Sequence, residues 1–124
     1  MHGQPRILVI DDDESIRTTM AAILESEGYS VDTVENGKEA IQKSNSDLYK
    51  VALIDFRLPD MKGTELLTAL RETTPRMAKI MVTGYPTVQN AIDCVNKHAD
   101  AYFVKPVDYE ALLNTIRNLI QKQK

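Results

Sequence analysis

Asp11, Asp12 and Asp13 stand together early in the chain, directly after an apolar run, and Asp55 follows a second such run. Thr83 and Lys105 also follow apolar runs, so four separate stretches deliver acids, a hydroxyl and an ammonium to comparable places. If Asp11, Asp12 and Asp55 converge, two carboxylates about 4 Å apart repel by roughly 4 kcal/mol at an effective dielectric near 20. A third acid would force one of them to protonate unless a cation were present. A hard divalent ion with oxygen ligands removes the conflict. Mg2+ suits best, because it takes one or two carboxylates, keeps several waters and leaves room for a phosphate oxygen; Mn2+ is its expected substitute. Lys105 would add a second positive charge opposite the metal. Asp13, nearest the start of the following helical segment, is the candidate for capping that helix instead.

Positioning such a site requires strands whose ends meet. Five short apolar runs, at residues 7–10, 31–34, 51–54, 79–82 and 101–104, mark them, and three are nearly unbroken in Val, Ile, Leu and Met, as in strands covered on both faces. Helical spacing lies between the runs. Ile16, Met20, Ile23 and Leu24 form one stripe, with Gly28 placed to end it in a left-handed cap. Leu66, Leu67 and Leu70 form another, with Pro75 beyond it; Val88, Ala91, Ile92 and Val95 form a third, and Leu112, Leu113, Ile116, Leu119 and Ile120 a fourth. A weaker helix opens after Glu35, Asn36 and Gly37. The alternation predicts an α/β fold: a doubly wound parallel sheet with right-handed crossovers and helices on both faces. Ligands of open sheets of this kind bind beyond the carboxyl ends of the strands, where the acids, Thr83 and Lys105 would stand.

The 124 residues suit one domain, taken as residues 1–124 with a tail at 1–5 and a frayed helical end at 121–124. With 43% hydrophobic and 27% charged residues the chain has the makings of an ordinary globular core. A net charge of -3 argues against a direct reader of nucleic-acid phosphates. The apolar stretches are too short to span a membrane, and the start of the chain shows no apolar signal region. The single cysteine, Cys94, cannot form an internal disulfide and is read as a packing residue. A cytoplasmic location is the expectation.

Four motifs carry a family resemblance. Ile7-Leu8-Val9-Ile10-Asp11-Asp12 with Ser15-Ile16-Arg17, the stretch from Val51 through Asp55 and Pro59 to Gly63, Met81-Val82-Thr83-Gly84, and Ala101-Tyr102-Phe103-Val104-Lys105-Pro106 resemble, in order and spacing, the signatures of response-regulator receiver domains. The resemblance covers essentially the whole chain and implies a flavodoxin-like five-stranded sheet in the order 2-1-3-4-5. It further implies that Asp55 accepts a phosphoryl group from a phosphohistidine on a sensor histidine kinase or phosphotransfer protein. Asp12 would bind the metal directly, Asp11 mainly through water, and the backbone carbonyl of Arg57 would complete the protein ligands. A carboxylate is a competent covalent acceptor, and phosphoryl transfer demands mainly positioning and charge neutralisation.

The same resemblance implies a cis peptide between Lys105 and Pro106, and a switch in which Thr83 moves toward the phosphate while Tyr102 turns inward. The readout surface would be the face of the fourth helix, fifth strand and fifth helix, meeting a downstream effector or a second copy in an activation-linked homodimer. The domain would act as a signalling module rather than an enzyme with an external substrate. Three positions stand out. His98 occupies a place where such domains usually carry glycine, so a remodelled helix end is expected there, and Arg57 and Tyr85 border the site. Three other functions compete: a receiver-like adaptor that docks partners without phosphorylation, a phosphotransferase of the haloacid dehalogenase type using Asp11 and Asp13, and a flavodoxin-like cofactor carrier. The complete set of Asp11, Asp12, Asp55, Thr83 and Lys105 speaks against the first. The order of elements speaks against the second, and acids after the first strand would repel the third's phosphate.

Overall fold

A computed structural model describes residues 3–45 and 48–123. Strands β1 (Arg6–Ile10), β2 (Ser30–Val34), β3 (Tyr49–Asp55), β4 (Ala78–Thr83) and β5 (Ala101–Val104) alternate with helices α1 (Glu14–Ser26), α2 (Gly37–Lys43), α3 (Gly63–Thr73), α4 (Val88–Asn96) and α5 (Tyr109–Lys122). The strands form one sheet in the order β2-β1-β3-β4-β5, and every pairing is parallel. This is the doubly wound architecture expected, with strands β1 to β4 one to three residues longer than their apolar runs.

Alternation along the strands divides the core. Leu8, Ile10, Ala52 and Ile54 pack on one face with Leu66, Leu67 and Leu70 of α3 and Cys94 of α4. Ile7, Val9, Val51 and Leu53 pack on the other with Met20 and Leu24 of α1 and Leu112 and Ile116 of α5. The three α3 leucines have no exposed surface, each worth about 1.5–3 kcal/mol of burial. Cys94 is thus a packing residue, as its position implied. The apolar stripe of α4 behaves otherwise: Val88, Ile92 and Val95 are 79%, 44% and 72% exposed, so this helix turns Cys94 inward and its valines outward.

Two helices end in the same way. After α1 the Tyr29 amide reaches the Leu24 carbonyl and the Gly28 amide that of Glu25; after α4 the Ala99 amide reaches Cys94 and the His98 amide Val95. Both are Schellman ends, which need a left-handed residue. Gly28 supplies it at φ 95°, and His98 supplies it at φ 66°. The remodelled end expected at His98 is therefore not adopted: the paired carbonyl bonds hold the histidine in a conformation that costs an L-residue about 1–2 kcal/mol.

Helix α5 runs to Lys122, and the Gln123 side-chain amide donates to the Lys50 carbonyl at 2.8 Å; Lys124 lies outside the described residues. At the other end, Met1 and His2 of the expected tail lie outside them too, while the Pro5 carbonyl accepts from the Ser30 amide at 3.0 Å. Among the described residues no helix is long and apolar enough to cross a membrane.

Candidate functional site

The register of β1 against β3 places Ile10 beside Ile54, so Asp11 and Asp55 leave adjacent strands at one level. Both are almost fully buried, at 4% and 7% exposure, while Asp12 is exposed. One carboxylate oxygen from each of Asp11, Asp12 and Asp55 lies within 4.8 Å of the others. The convergence inferred from the strand ends is real. Asp13 stands apart from it: its side chain accepts from the Ile16 amide at 3.2 Å and caps α1. Asp11 is held from three sides, by the Asp13 amide on its Oδ1 at 2.9 Å, the Arg17 guanidinium on its carbonyl at 2.8 Å, and Lys105.

Lys105 enters from the end of β5, and the peptide bond that follows it, to Pro106, is cis as expected. Its Nζ donates to Asp11 Oδ2 at 3.0 Å and to Asp55 Oδ1 at 3.3 Å. Burial pushes the Asp55 carboxyl up to about 6, the Asp11 charge adds to this, and Lys105 only partly opposes it. Burial by itself would lower the lysine, but its hydrogen bond to Asp11 and the charge of both acids outweigh that and raise it. One ammonium among three carboxylates leaves a negative surplus at a site whose donors are all oxygen, which fits a hard divalent cation.

The loop after β3 folds back under Asp55. The Gly63 amide donates to the Phe56 carbonyl at 2.7 Å, and Arg57 pairs with Lys62 in an antiparallel bridge. The return is so close that a Cβ on Gly63 would overlap the Asp55 carbonyl oxygen and the Phe56 Cα. Arg57 thereby borders the site, and its guanidinium lies 3.7 Å from the centre of the Tyr85 ring. This stack joins the loops after β3 and β4, a contact that residue types alone did not reveal although both positions had been marked as bordering the site.

Thr83 is fully buried at the end of β4, and its Oγ1 accepts from the Tyr85 amide at 2.9 Å. A hydroxyl that accepts still has its proton to donate. Tyr102 packs against the core beside α4, and its hydroxyl is buried without a hydrogen-bond partner among the described residues. The structure therefore brings together Asp11, Asp12, Asp55 and Lys105, sets Thr83 and Arg57 at the margin, and keeps Tyr102 within the sheet-helix interface.

Comparison with known proteins agrees with this geometry. The family model of the response regulator receiver domain matches residues 7–117. The transcriptional regulatory protein ZraR of Klebsiella oxytoca is 33% identical over 113 residues, covering 91% of this chain and 26% of the relative, so the chain spans about a quarter of that protein. A CheY-like receiver domain protein from Methanospirillum hungatei superposes with a TM-score of 0.93 at 41% identity, covering 98% of this chain and 97% of the other. A Burkholderia pseudomallei response regulator, solved with a phosphorylated aspartic acid, a calcium ion and citrate, has a TM-score of 0.86 at 28% identity, over 96% of this chain and 70% of that one. By motif, fold and sequence match alike, this chain belongs to the response regulator receiver domain family of two-component systems.

Proposed function

We propose that Asp55 is the phosphoacceptor of a Mg2+-dependent switch, charged by a phosphohistidine of a sensor histidine kinase or phosphotransfer protein. The observation that carries this reading is the meeting of three acids from two strand ends with a single lysine bridging two of them. A Asp55 carboxylate oxygen bonds to phosphorus while the phosphorus–nitrogen bond breaks and the electron pair returns to the imidazole. Asp55, with its proton affinity raised to about pH 6, is mostly ionised at neutral pH and competent for that attack. Asp12 and Asp55 would hold the ion directly, Asp11 through water, and the Arg57 carbonyl would complete the protein ligands; the ion supplies charge neutralisation to the incoming phosphoryl oxygens. Lys105, already seated between the acids, neutralises charge from the opposite side. The Burkholderia relative's phosphorylated aspartic acid and bound calcium support the same assignment.

In this reading the domain catalyses only its own phosphorylation and dephosphorylation. Thr83 releases the Tyr85 amide and donates to the phosphoryl group, and Tyr102, whose hydroxyl has no partner among the described residues, moves into the space released. The readout is the α4–β5–α5 face, where Val88, Ile92, Val95 and Val104 lie exposed, and its occupant is a downstream effector or a second copy of the chain. Binding this face, rather than nucleic acid, is the domain's output.

Incubation with Mg2+ and acetyl phosphate, followed by intact-mass measurement, tests the core of the proposal. A single phosphoryl adduct is expected, lost in Asp55→Asn and lost on chelation of the metal. An adduct of equal yield in Asp55→Asn would reject Asp55 as the acceptor.

A further inference from the structure

The segment carrying Arg57 is fixed at its base by the bonds already described and, within the loop, by the Leu58 amide donating to the Met61 carbonyl at 3.2 Å. Its tip is fixed from outside. Asp60 points away from the loop, and its Oδ1 accepts from the Gly37 amide at 2.9 Å while its Oδ2 accepts from the Lys38 amide at 2.9 Å. These are the first two residues of α2, whose third amide, on Glu39, is taken by the Asn36 side chain at 2.8 Å. The helix start is thus capped twice, once by its own Asn36 and once by a carboxylate 22 or 23 residues away in the chain. The amides, the Gly37 amide foremost, hold the Asp60 carboxyl below the usual carboxylate range. Met61 packs its thioether where a Gly37 side chain would stand. The loop is pinned at its tip to an element packed on the core through Ala40.

A cap needs only one residue, and α2 already has one in Asn36. The second attachment matters for the loop more than for the helix, because the stretch between base and tip contains the Arg57 carbonyl. We infer that Asp60 is a positioning residue for the phosphoacceptor site: by bridging to α2 it fixes the loop so that the Arg57 carbonyl is preorganised for the metal. The inference rests on the functional reading above, and it extends the site to a residue outside the acidic cluster.

The test compares Asp60→Ala, Asp60→Asn and Asn36→Ala with the wild-type chain. Mg2+ affinity is measured by titration with the metal alone, and amide exchange is measured in the metal-free chains. Removing Asp60 is expected to weaken Mg2+ binding about tenfold, the scale of losing a residue that orients a metal ligand. Asp60→Asn, which keeps one acceptor oxygen, falls between. Protection of the Leu58 and Gly63 amides should fall in metal-free Asp60→Ala, and the rate of adduct formation from acetyl phosphate should recover at saturating Mg2+. Asn36→Ala removes a cap from the same helix and leaves both loop and affinity as in the wild type. An unchanged Mg2+ affinity in Asp60→Ala, or an equal loss in Asn36→Ala, would overturn the inference. A wild-type chain that binds no Mg2+ overturns the phosphoacceptor reading itself, and that arm is read independently of the variants.

Discussion

Two lysines, one at each pole of the sheet, meet opposite fates. Lys79, near the start of β4, is only 3% exposed, and its ammonium donates to the carbonyls of Thr74 and Met77, each at 2.7 Å. Burial lowers its proton affinity, and nearby Asp100 opposes this without reversing it. Lys105, at the end of β5, faces the carboxylates of Asp11 and Asp55 and is raised. At the amino pole a buried charge is held by the neutral carbonyl dipoles of the α3–β4 turn, with the Asp100 carboxylate nearby. At the carboxyl pole the acids outnumber the ammonium, and the surplus can be relieved only by something from outside. A buried charge that is satisfied locally marks structure; one that is outnumbered marks a site.

Substitution separates the poles most sharply. Lys79→Ala strands two carbonyls and is expected to cost about 3 kcal/mol in urea unfolding while leaving Mg2+ affinity intact. Lys105→Ala should destabilise the metal-free chain less, and added Mg2+ should restore it, since a ligand that binds only the native state stabilises by mass action. A loss at Lys105 that Mg2+ does not reverse would erase the distinction.

A smaller effect follows from Asp55. Its folded pKa, about 6 against an ordinary 3.8, means that the unfolded chain releases this proton first as pH rises. Asp55 therefore favours the folded state fully below about pH 4, and that contribution is lost as pH climbs to about 6. Melting temperatures of the metal-free protein should register a decline over that window, absent in Asp55→Asn and offset by Mg2+. A flat profile in the metal-free wild type would mean that the carboxyl pole carries no excess charge.

The smallest effect concerns hydroxyls. Tyr49 donates to Asp32 at 2.6 Å, whereas the Tyr102 hydroxyl is buried without a partner among the described residues. Tyr49→Phe should cost about 1 kcal/mol, and Tyr102→Phe should be neutral or stabilising by up to about 1 kcal/mol in the unphosphorylated protein. Equal losses at both would show that Tyr102 has a partner in solution.

Much of the site was legible because it depends on strand ends. Unbroken apolar runs fix where a buried parallel strand stops, and Asp11, Asp55 and Lys105 stand just where three of them do. What escaped reading depends on contacts between distant segments. Lys79 lies inside an apolar run, and only the fold shows that its ammonium turns back to the Thr74 and Met77 carbonyls. Asp60 read as one letter of a loop motif, since its partners on α2 precede it by more than twenty residues. The α4 stripe had helical spacing, but spacing cannot say whether a stripe faces the sheet or the solvent. His98 misled for the opposite reason, because the Schellman bonds of Val95 and Cys94 hold it where glycine would have rested freely.

The two glycines beside the loop that follows Asp55 tolerate substitution differently. What crowds Gly37 is the Met61 thioether, a flexible side chain that can swing aside or be exchanged. A larger residue at position 37 should therefore be accommodated by a smaller one at 61. What crowds Gly63 most closely is main chain, the Asp55 carbonyl oxygen and the Phe56 Cα, which no substitution elsewhere can trim, with the Met81 side chain next to them. A larger residue there would require the loop beneath Asp55 to be rebuilt.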